Sequence, residues 1–223
     1  MKVTIPDVIT EDLAEETGWH IGDGSMNFYN NRGKSKVVYQ LRGHIEDDRP
    51  HYIERIKPIF DKLYRTNISL REMPSTRVYG FQIWNSELVK FKQKLGLPLG
   101  KKFELSIPEV FLKDVTLVKA TIRGIFDTDG SIYLEKKNGK LYPRVYIKTI
   151  SKNLSEQLFK IFSALGFMVT VFSQLDNKDF NRQRAYTINI RGVEMLHKFI
   201  KEIQPKNSKH LAKYKRFLDS KAL

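Results

Sequence analysis

Two aspartates, Asp23 and Asp129, stand in a short segment that occurs twice in this chain of 223 residues. Each is followed by Gly-Ser, and each ends an apolar stretch that is typical of a helix. A carboxylate in the last turn lies at the negative end of the helix dipole, which costs a few tenths to about 1 kcal/mol. A divalent cation between two such carboxylates would remove both penalties. The pattern therefore predicts a two-fold metal site.

The repeat continues beyond these aspartates, because residues 77–83 match residues 184–190 in type and order. The same register pairs Glu87 with Glu194, Pro98 with Pro205, and Lys102 with Lys209. Solenoid repeats are roughly 20–50 residues long, so a period of half this chain indicates duplicated domains. We predict a first repeat at 1–98, a linker at 99–114 and a second repeat at 115–223.

Residue patterns predict the same elements in each repeat. In the first, Thr10 caps a helix to Ile21, and Ser86 caps another. The remaining predicted elements of the first repeat are a hairpin at 25–44, a helix at 52–64, strands at 67–71 and 77–84, and the end of the Ser86 helix at Leu95. In the second they are a helix from Asp114 to Phe126, two strands around Asn138-Gly139, a helix at 154–165, strands at 167–174 and 185–191, and helices at 193–203 and 211–218. The order predicts an α+β fold of two pseudo-symmetric repeats, each helix–hairpin–helix–hairpin–helix with a four-stranded antiparallel sheet.

The chain is strongly basic, with 39 Lys and Arg against 25 Asp and Glu, and a net charge of +14. This balance favours a polyanionic partner, nucleic acid first, over an inert basic surface. The absence of cysteine excludes disulfides and thiolate metal sites, and is typical of a reducing or a hot environment. Neither a membrane-spanning apolar run nor a signal-peptide core occurs. We expect a soluble, intracellular protein, cytoplasmic or nucleoid-associated, or organellar in a eukaryote.

Residues 16–24 and 122–130 resemble the motif of the LAGLIDADG homing endonucleases, in the single-chain form with two motifs. The second copy is the closer match, since Glu16, Trp19, His20 and Ile21 depart from the usual residues of the first. The resemblance covers nearly the whole chain. It implies that the two motif helices pack together and that each delivers its Asp to the active site. Gly18 and the equivalent Gly124 would provide the flat helix faces that close packing of the two helices needs.

The resemblance implies a site-specific endonuclease that makes a metal-dependent, staggered double-strand break in a long asymmetric DNA site and supports intron homing. It further implies a monomer without an obligatory protein partner, using Mg²⁺ or another divalent cation such as Mn²⁺. An RNA maturase or a non-cleaving DNA-binding relative is the alternative. Such relatives commonly lose a motif acid, so the presence of both favours the nuclease. The endonuclease part of an intein is disfavoured, because neither cysteine nor a flanking splicing domain occurs.

Site residues follow in part from the resemblance. Asp23 and Asp129 are the expected metal ligands, and the family adds the preceding carbonyls of Gly22 and Thr128. Lys102 and Lys209 are the expected basic residues near the scissile phosphates, with Lys101 as an alternative if the register slips by one. The family also suggests a water-positioning residue on each hairpin, for which His44 and Ser151 are candidates, whereas Asp127 is expected to orient the site.

Alternation along the predicted strands separates a polar face from an apolar one. The polar side chains include Arg, Gln and Asn, which can contact base edges in the major groove of double-stranded DNA. A merely solvated face is the alternative. The expected DNA-binding residues are Lys36, Gln40, Arg42 and Gln82 in the first repeat, and Arg144, Tyr146, Lys148, Thr187, Asn189 and Arg191 in the second.

Overall fold

The computed structural model describes residues 2–31, 34–175 and 184–221. The first repeat contains four strands and a long helix with a π-helical segment at Tyr52–Ile56. Its elements are α1 (Glu11–Gly22), β1 (Gly24–Asn31), β2 (Lys34–His44), α2 (Arg49–His51), which continues through the π-helical segment into α3 (Lys57–Tyr64), β3 (Arg71–Met73), β4 (Val78–Ile83) and α4 (Ser86–Lys94).

The second repeat has the same order, preceded by a short helix in the linker and followed by an additional helix at the end. Its elements are α5 (Glu109–Leu112) in the linker, α6 (Val115–Asp129), β5 (Gly130–Lys137), β6 (Lys140–Thr149), α7 (Lys152–Ala164), β7 (Val169–Leu175), β8 (Arg184–Arg191), α8 (Val193–Ile203) and α9 (Ser208–Asp219). None of the helices in the described parts of the chain has the length and apolar character to span a bilayer.

Each repeat forms a four-stranded antiparallel sheet, in the order β1-β2-β4-β3 and β5-β6-β8-β7. The pairing is equivalent in the two sheets: Gln40 lies opposite Gln82, and Tyr146 lies opposite Asn189. The apolar face of each sheet joins the core, as Leu41 and Ile147 illustrate. The predicted fold class is therefore confirmed.

The two repeats are joined by α1 and α6, whose backbones touch at Gly18 and Gly124. A Cβ added to Gly18 would lie 2.2 Å from the carbonyl oxygen of Thr121, and one added to Gly124 would lie 2.2 Å from the carbonyl oxygen of Glu15. Any larger residue would have to displace backbone, so only glycine permits this approach. The contact fixes the ends of both helices, and with them Asp23 and Asp129, at one place between the sheets.

The middle of α1 carries two acids, Glu15 and Glu16, that are buried. Glu16 accepts hydrogen bonds from Tyr39 at 2.7 Å and Tyr64 at 3.0 Å, and it forms a buried ion pair with Lys92 of α4. The neighbouring Glu15 binds arginines from both repeats, Arg55 through two nitrogens at 2.5 and 2.7 Å and Arg123 at 2.8 Å. Every charge in these pairs is therefore matched by a partner on another helix.

Two local predictions are wrong. Residues 67–70 are not a strand, because Lys57 binds the side chain of Asn67 and the carbonyl of Ile68, at 2.6 Å each, and thereby holds this segment to α3. At α4 the cap is Asn85, whose side chain accepts from the amide of Leu88 at 2.9 Å, so that Ser86 is the first helical residue.

Candidate active site

Asp23 is the C-cap of α1, directly before β1 begins, and its side chain is half-buried. Its carboxylate accepts a hydrogen bond from the hydroxyl of Tyr52 at 3.2 Å. Gly43 of β2 lies against the same carboxylate, since an added Cβ would be 2.8 Å from Asp23 Oδ2. Helix, hairpin and the π-helical segment therefore all fix the orientation of this acid.

Asp129 is the last residue of α6 and reaches the solvent. Its carboxyl carbon would lie 3.4 Å from a Cβ added to Gly22, the residue before Asp23. Thr128 lies closer still, with its hydroxyl 2.0 Å from that same Cβ position. The structure thus brings together the two aspartates and the two residues whose carbonyls were expected to assist them.

Burial opposes the ionisation of both acids, and neighbouring carboxylates add to this effect. Burial raises the pKa of Asp23 to about 8, with further contributions from the charges of Asp129 and Asp48. Burial also raises the pKa of Asp129, while Lys102 and Lys209 act in the opposite direction. An added cation would favour the ionised form of both carboxylates.

The two predicted lysines lie at this site, but they are used differently. Lys102 donates to the last carbonyls of α1, at 2.9 Å to His20, 2.9 Å to Ile21 and 2.7 Å to Gly22. Burial lowers the pKa of Lys102 to about 8, which Asp129 and Asp23 partly counteract. Lys209 instead forms an ion pair with Asp48 at 2.6 Å. Lys102 therefore neutralises a helix end, whereas Lys209 is held by a carboxylate from the other repeat.

Asp48, a residue that the sequence did not single out, anchors this second lysine. It is 5% exposed and accepts hydrogen bonds from the amide of His44 at 2.8 Å and from the side chain of Asn207 at 2.9 Å, besides Lys209. Asn207 also donates to the carbonyl of Asp127 at 2.8 Å. Asp48 precedes Arg49-Pro50, which is the sequence pattern of a helix cap. This pattern does not indicate that Asp48 contacts residues of the other repeat.

The remaining predicted site residues lie elsewhere. Asp127 accepts from the backbone amides of Lys206 and Asn207 at 2.9 to 3.2 Å, so it orients the loop that carries Lys209. Ser151 is fully buried, and its hydroxyl caps α7 and binds the carbonyl of Leu105 at 2.6 Å, which gives no support for a water-positioning role. The ring of His44 contacts Asp47 at 3.4 Å. The exposed Lys101 packs its ammonium over Phe103 at 5.4 Å.

A divalent cation fits the donors at this site. The described residues contain no cluster of three His, Cys, Asp or Glu side chains that could hold a metal. The available donors are two carboxylates and backbone carbonyls, all oxygen, which suits Mg²⁺ because this ion binds few protein ligands and keeps several waters. An open cavity of about 530 Å³ adjoins Asp129 and is lined by residues of both repeats, including Gly22, Lys102 and Lys148. The cavity provides the space for those waters.

The polar face of the first sheet carries a connected set of side chains. Gln82 is exposed, and its carbonyl oxygen accepts from Arg42 at 3.0 Å and from Gln40 at 3.3 Å. Gln40 is only 8% exposed, so it supports Gln82 from below. Lys36 is exposed near the outer end of β2, away from this set. Within the first sheet, Gln82 and Arg42 therefore present the hydrogen-bonding groups to solvent.

The polar face of the second sheet is more basic. Arg144 forms an ion pair with Glu135, and Arg191 stacks over Phe172 at 5.2 Å. Asn189 is only 1% exposed, and with its amide oxygen turned toward Arg191 it accepts from that guanidinium at 2.5 and 3.0 Å. All six predicted positions lie on this one face, where the exposed members are Lys148 and Arg191 and the half-buried members are Arg144, Tyr146 and Thr187.

Comparison with known proteins agrees with this geometry. Residues 116–204 match the family model of the LAGLIDADG-like domain. This match covers most of the second repeat. The predicted resemblance is confirmed also by whole-chain similarity in fold to LAGLIDADG proteins. The crystal structure of the homing endonuclease I-DmoI with DNA and Ca has a TM-score of 0.62 and 20% identity, covering 86% of this chain and 88% of that one. The LAGLIDADG meganuclease I-AabMI, bound to uncleaved DNA, has a TM-score of 0.56 and 14% identity, over 90% of this chain and 86% of that one.

A sequence match also exists to a much longer protein, one of the polypeptides of the A-type ATP synthase of Pyrococcus abyssi. The two are 25% identical over 199 residues, which is 88% of this chain but only 17% of that protein. The LAGLIDADG-like sequence therefore corresponds to a small part of that protein's length.

Proposed function

We propose that this protein is a site-specific endonuclease that cleaves both strands of a long, asymmetric DNA duplex and thereby supports homing of an intron. The observation that carries the proposal is the pairing of Asp23 and Asp129 at the ends of two helices that touch through glycine, between two sheets with polar, basic faces. The DNA would lie across these faces, with one scissile phosphate near each aspartate. The net charge of +14 favours such a partner.

Asp23 and Asp129, assisted by the carbonyls of Gly22 and Thr128, would hold Mg²⁺ or another divalent cation such as Mn²⁺. Such an ion, when bound, activates water and stabilises the charge that develops on the phosphate and the leaving oxygen. Tyr52 keeps the carboxylate of Asp23 oriented by donating to it. Lys102 and Lys209 place positive charge beside the reacting phosphates. The close contact between α1 and α6 keeps Asp23 and Asp129 at a fixed position relative to each other.

Selection of cleaved sites from a randomised duplex library in the presence of Mg²⁺ tests the activity and identifies the target. With that target, Asp23→Asn and Asp129→Asn are each expected to abolish double-strand cleavage while binding, measured by gel shift in Ca²⁺, remains. The reason is that the acids hold metal and make little contact with bases. Asp47→Asn is the matched control, since Asp47 is an exposed acid near the site that should leave cleavage unchanged.

Three outcomes would contradict parts of the proposal. A double Asp23→Asn/Asp129→Asn variant that still cleaves normally would exclude the assigned site. Binding by the wild type without any cleavage would indicate a non-cleaving relative, and preferential binding of structured RNA would indicate a maturase.

We also propose that one chain acts alone, because both motif copies lie in it. Sedimentation of the DNA complex should give one chain per duplex, and two chains would contradict this.

A further inference from the structure

The second repeat ends in a helix, α9, that starts at the active site. Asn207 caps α9 by accepting from the amide of Lys209 at 3.2 Å, while its own side-chain amide binds Asp48 and Asp127. His210 and Phe217, which are buried and seven residues apart, pack one side of the helix against the protein. The position of α9 relative to the two aspartates is therefore fixed by hydrogen bonds and packing.

One side of α9 carries three cations, Lys209, Lys213 and Arg216, spaced four and three residues apart so that they share a face. Lys213 donates to the hydroxyl of Ser131 at 3.1 Å, two residues after Asp129. At a rise of 1.5 Å per residue the stripe extends about 10 Å from Lys209 along the axis. One DNA strand rises about 3.4 Å per nucleotide, so this length suits about three consecutive phosphates.

The charge of this stripe is not neutralised within the described residues. Lys209 pairs with Asp48, but neither Lys213 nor Arg216 forms an ion pair there. Burial and the nearby charge of Lys209 lower the pKa of Lys213, with Asp47 acting weakly in the opposite sense. Positive charges held side by side in this way are stabilised by a bound anion.

The positions of the first repeat that are equivalent to this stripe do not carry three cations. At the equivalent positions Lys209 corresponds to Lys102, but Lys213 corresponds to Ser106 and Arg216 to Glu109. This part of the linker is not a continuous helix, since α5 begins only at Glu109. The cation at the active site is therefore common to both repeats, whereas the extension is found in one.

We propose that Lys213 and Arg216 bind backbone phosphates of one DNA strand next to the active site, a contact that the first repeat cannot make. This inference rests on the proposed function. These contacts would make the protein bind the backbone of one strand more tightly than that of the other, whatever the base sequence.

The first test is the salt dependence of binding to a mixed-sequence duplex of about 30 base pairs, measured by fluorescence anisotropy. Each phosphate contact contributes about −0.9 to the slope of log affinity against log salt, so Lys213→Ala/Arg216→Ala should flatten the slope by about 1.8. The matched control, Lys201→Ala/Lys215→Ala, removes the same charge from α8 and from a different side of α9, and should leave the slope unchanged.

The second test locates the contact on the target obtained by library selection. Neutral methylphosphonate groups replace the phosphates beside each cleavage position, one strand at a time. In the wild type, replacement on one strand should weaken binding about tenfold, and in Lys213→Ala/Arg216→Ala the same replacement should have no further effect.

The outcomes separate this inference from the proposed function. If the wild type shows no salt-dependent affinity for duplex DNA, the proposed function fails. If the wild type binds with a steep salt slope that Lys213→Ala/Arg216→Ala leaves unchanged, the stripe alone is refuted. Equal sensitivity of wild type and variant to methylphosphonates would also refute it.

Discussion

The first and second repeats share one topology, but their motif helices, α1 and α6, differ in the polarity of the buried residues near the middle of each helix. In α1 the consecutive residues Glu15 and Glu16 are buried and paired with cations. At the equivalent positions α6 has Thr121 and Ile122, and the position of Lys92 is taken by Phe199. Phe199 packs on Phe126 at a ring distance of 4.6 Å, so the second repeat has an aromatic cluster where the first has an ion pair.

The difference shows that an acid at an apolar position of the motif is tolerated when neighbouring side chains pair with it. Glu16 would destabilise an apolar core if it were alone, but Lys92, Tyr39 and Tyr64 satisfy its carboxylate. The end of α1 still places Asp23 opposite Asp129. Glu16 therefore belongs to an alternative core in which its charge is paired.

The largest expected effect comes from removing one member of the buried pair. Lys92→Met leaves the charge of Glu16 buried without a cation, which costs about 3–5 kcal/mol of unfolding free energy. Chemical denaturation measures it, with the exposed Lys90→Met of the same helix as the control. An apolar replacement of the whole cluster, Glu16→Leu, Lys92→Met, Tyr39→Phe and Tyr64→Phe, should restore most of the loss. A Lys92→Met protein as stable as the wild type would mean that the two cores do not differ as described.

Acid should reveal another buried feature that both repeats share. His51 lies edge-on to Trp19 and has no hydrogen-bond partner among the described residues, while His210 lies against the ring of Phe126 and the backbone of Asp127. Burial lowers the pKa of His51 to about 4 and that of His210 to about 3.

The sign of the resulting pH dependence follows from proton binding. Between pH 6.5 and 4 the unfolded chain gains protons on these histidines while the folded protein does not, so stability falls as the pH falls. We expect about 3 kcal/mol from His51 over this window. The difference in unfolding free energy between pH 7 and pH 4.5 should shrink in His51→Leu, with the exposed His197→Leu as the control. An equal difference in His51→Leu and wild type would contradict this assignment.

The smallest expected effects concern base recognition, where the two sheets differ in charge. Substituting Gln82, Arg42 or Arg191 by Ala should relax the preference at one or two base positions, by about 1–3 kcal/mol where a bidentate contact is lost. Asn189→Ala should act at the same position as Arg191→Ala, because Asn189 orients that guanidinium. Lys36→Ala and Lys148→Ala should instead weaken binding to all sequences, through lost phosphate contacts.

Binding profiles against a library of single substitutions in the target distinguish these cases. If the glutamine, asparagine and arginine variants leave every base preference unchanged, the sheets do not read the DNA sequence.

Repetition explains which parts of the site could be predicted from sequence. Asp23, Asp129, Lys102 and Lys209 recur at matching positions, and a shared topology brings such residues together. Asp48 and Asn207 have no counterpart of the same type, and their contact joins residues 159 positions apart, so no local pattern marks them.

The same reasoning applies to the elements. The boundaries of α8 agree with the prediction, because Gly192 and the left-handed Gln204 end the helical pattern sharply. The strand expected at 67–71 is absent over residues 67–70 because the side chain of Asp61 accepts from the amide of Ile68, a contact that overrides the local preference.

The contacts between the two repeats limit which repeats could be joined by recombination between related genes. A crossover in the linker would exchange whole repeats between related genes, and the glycine contact of α1 and α6 would tolerate it, because it involves backbone alone. The hydrogen bonds of Asp48 to Asn207 and Lys209 would not, since each requires a particular side chain across the crossover. A new pairing of repeats would therefore keep the fold, while the ordered arrangement of the candidate site would require Asp48, Asn207 and Lys209 to be inherited together.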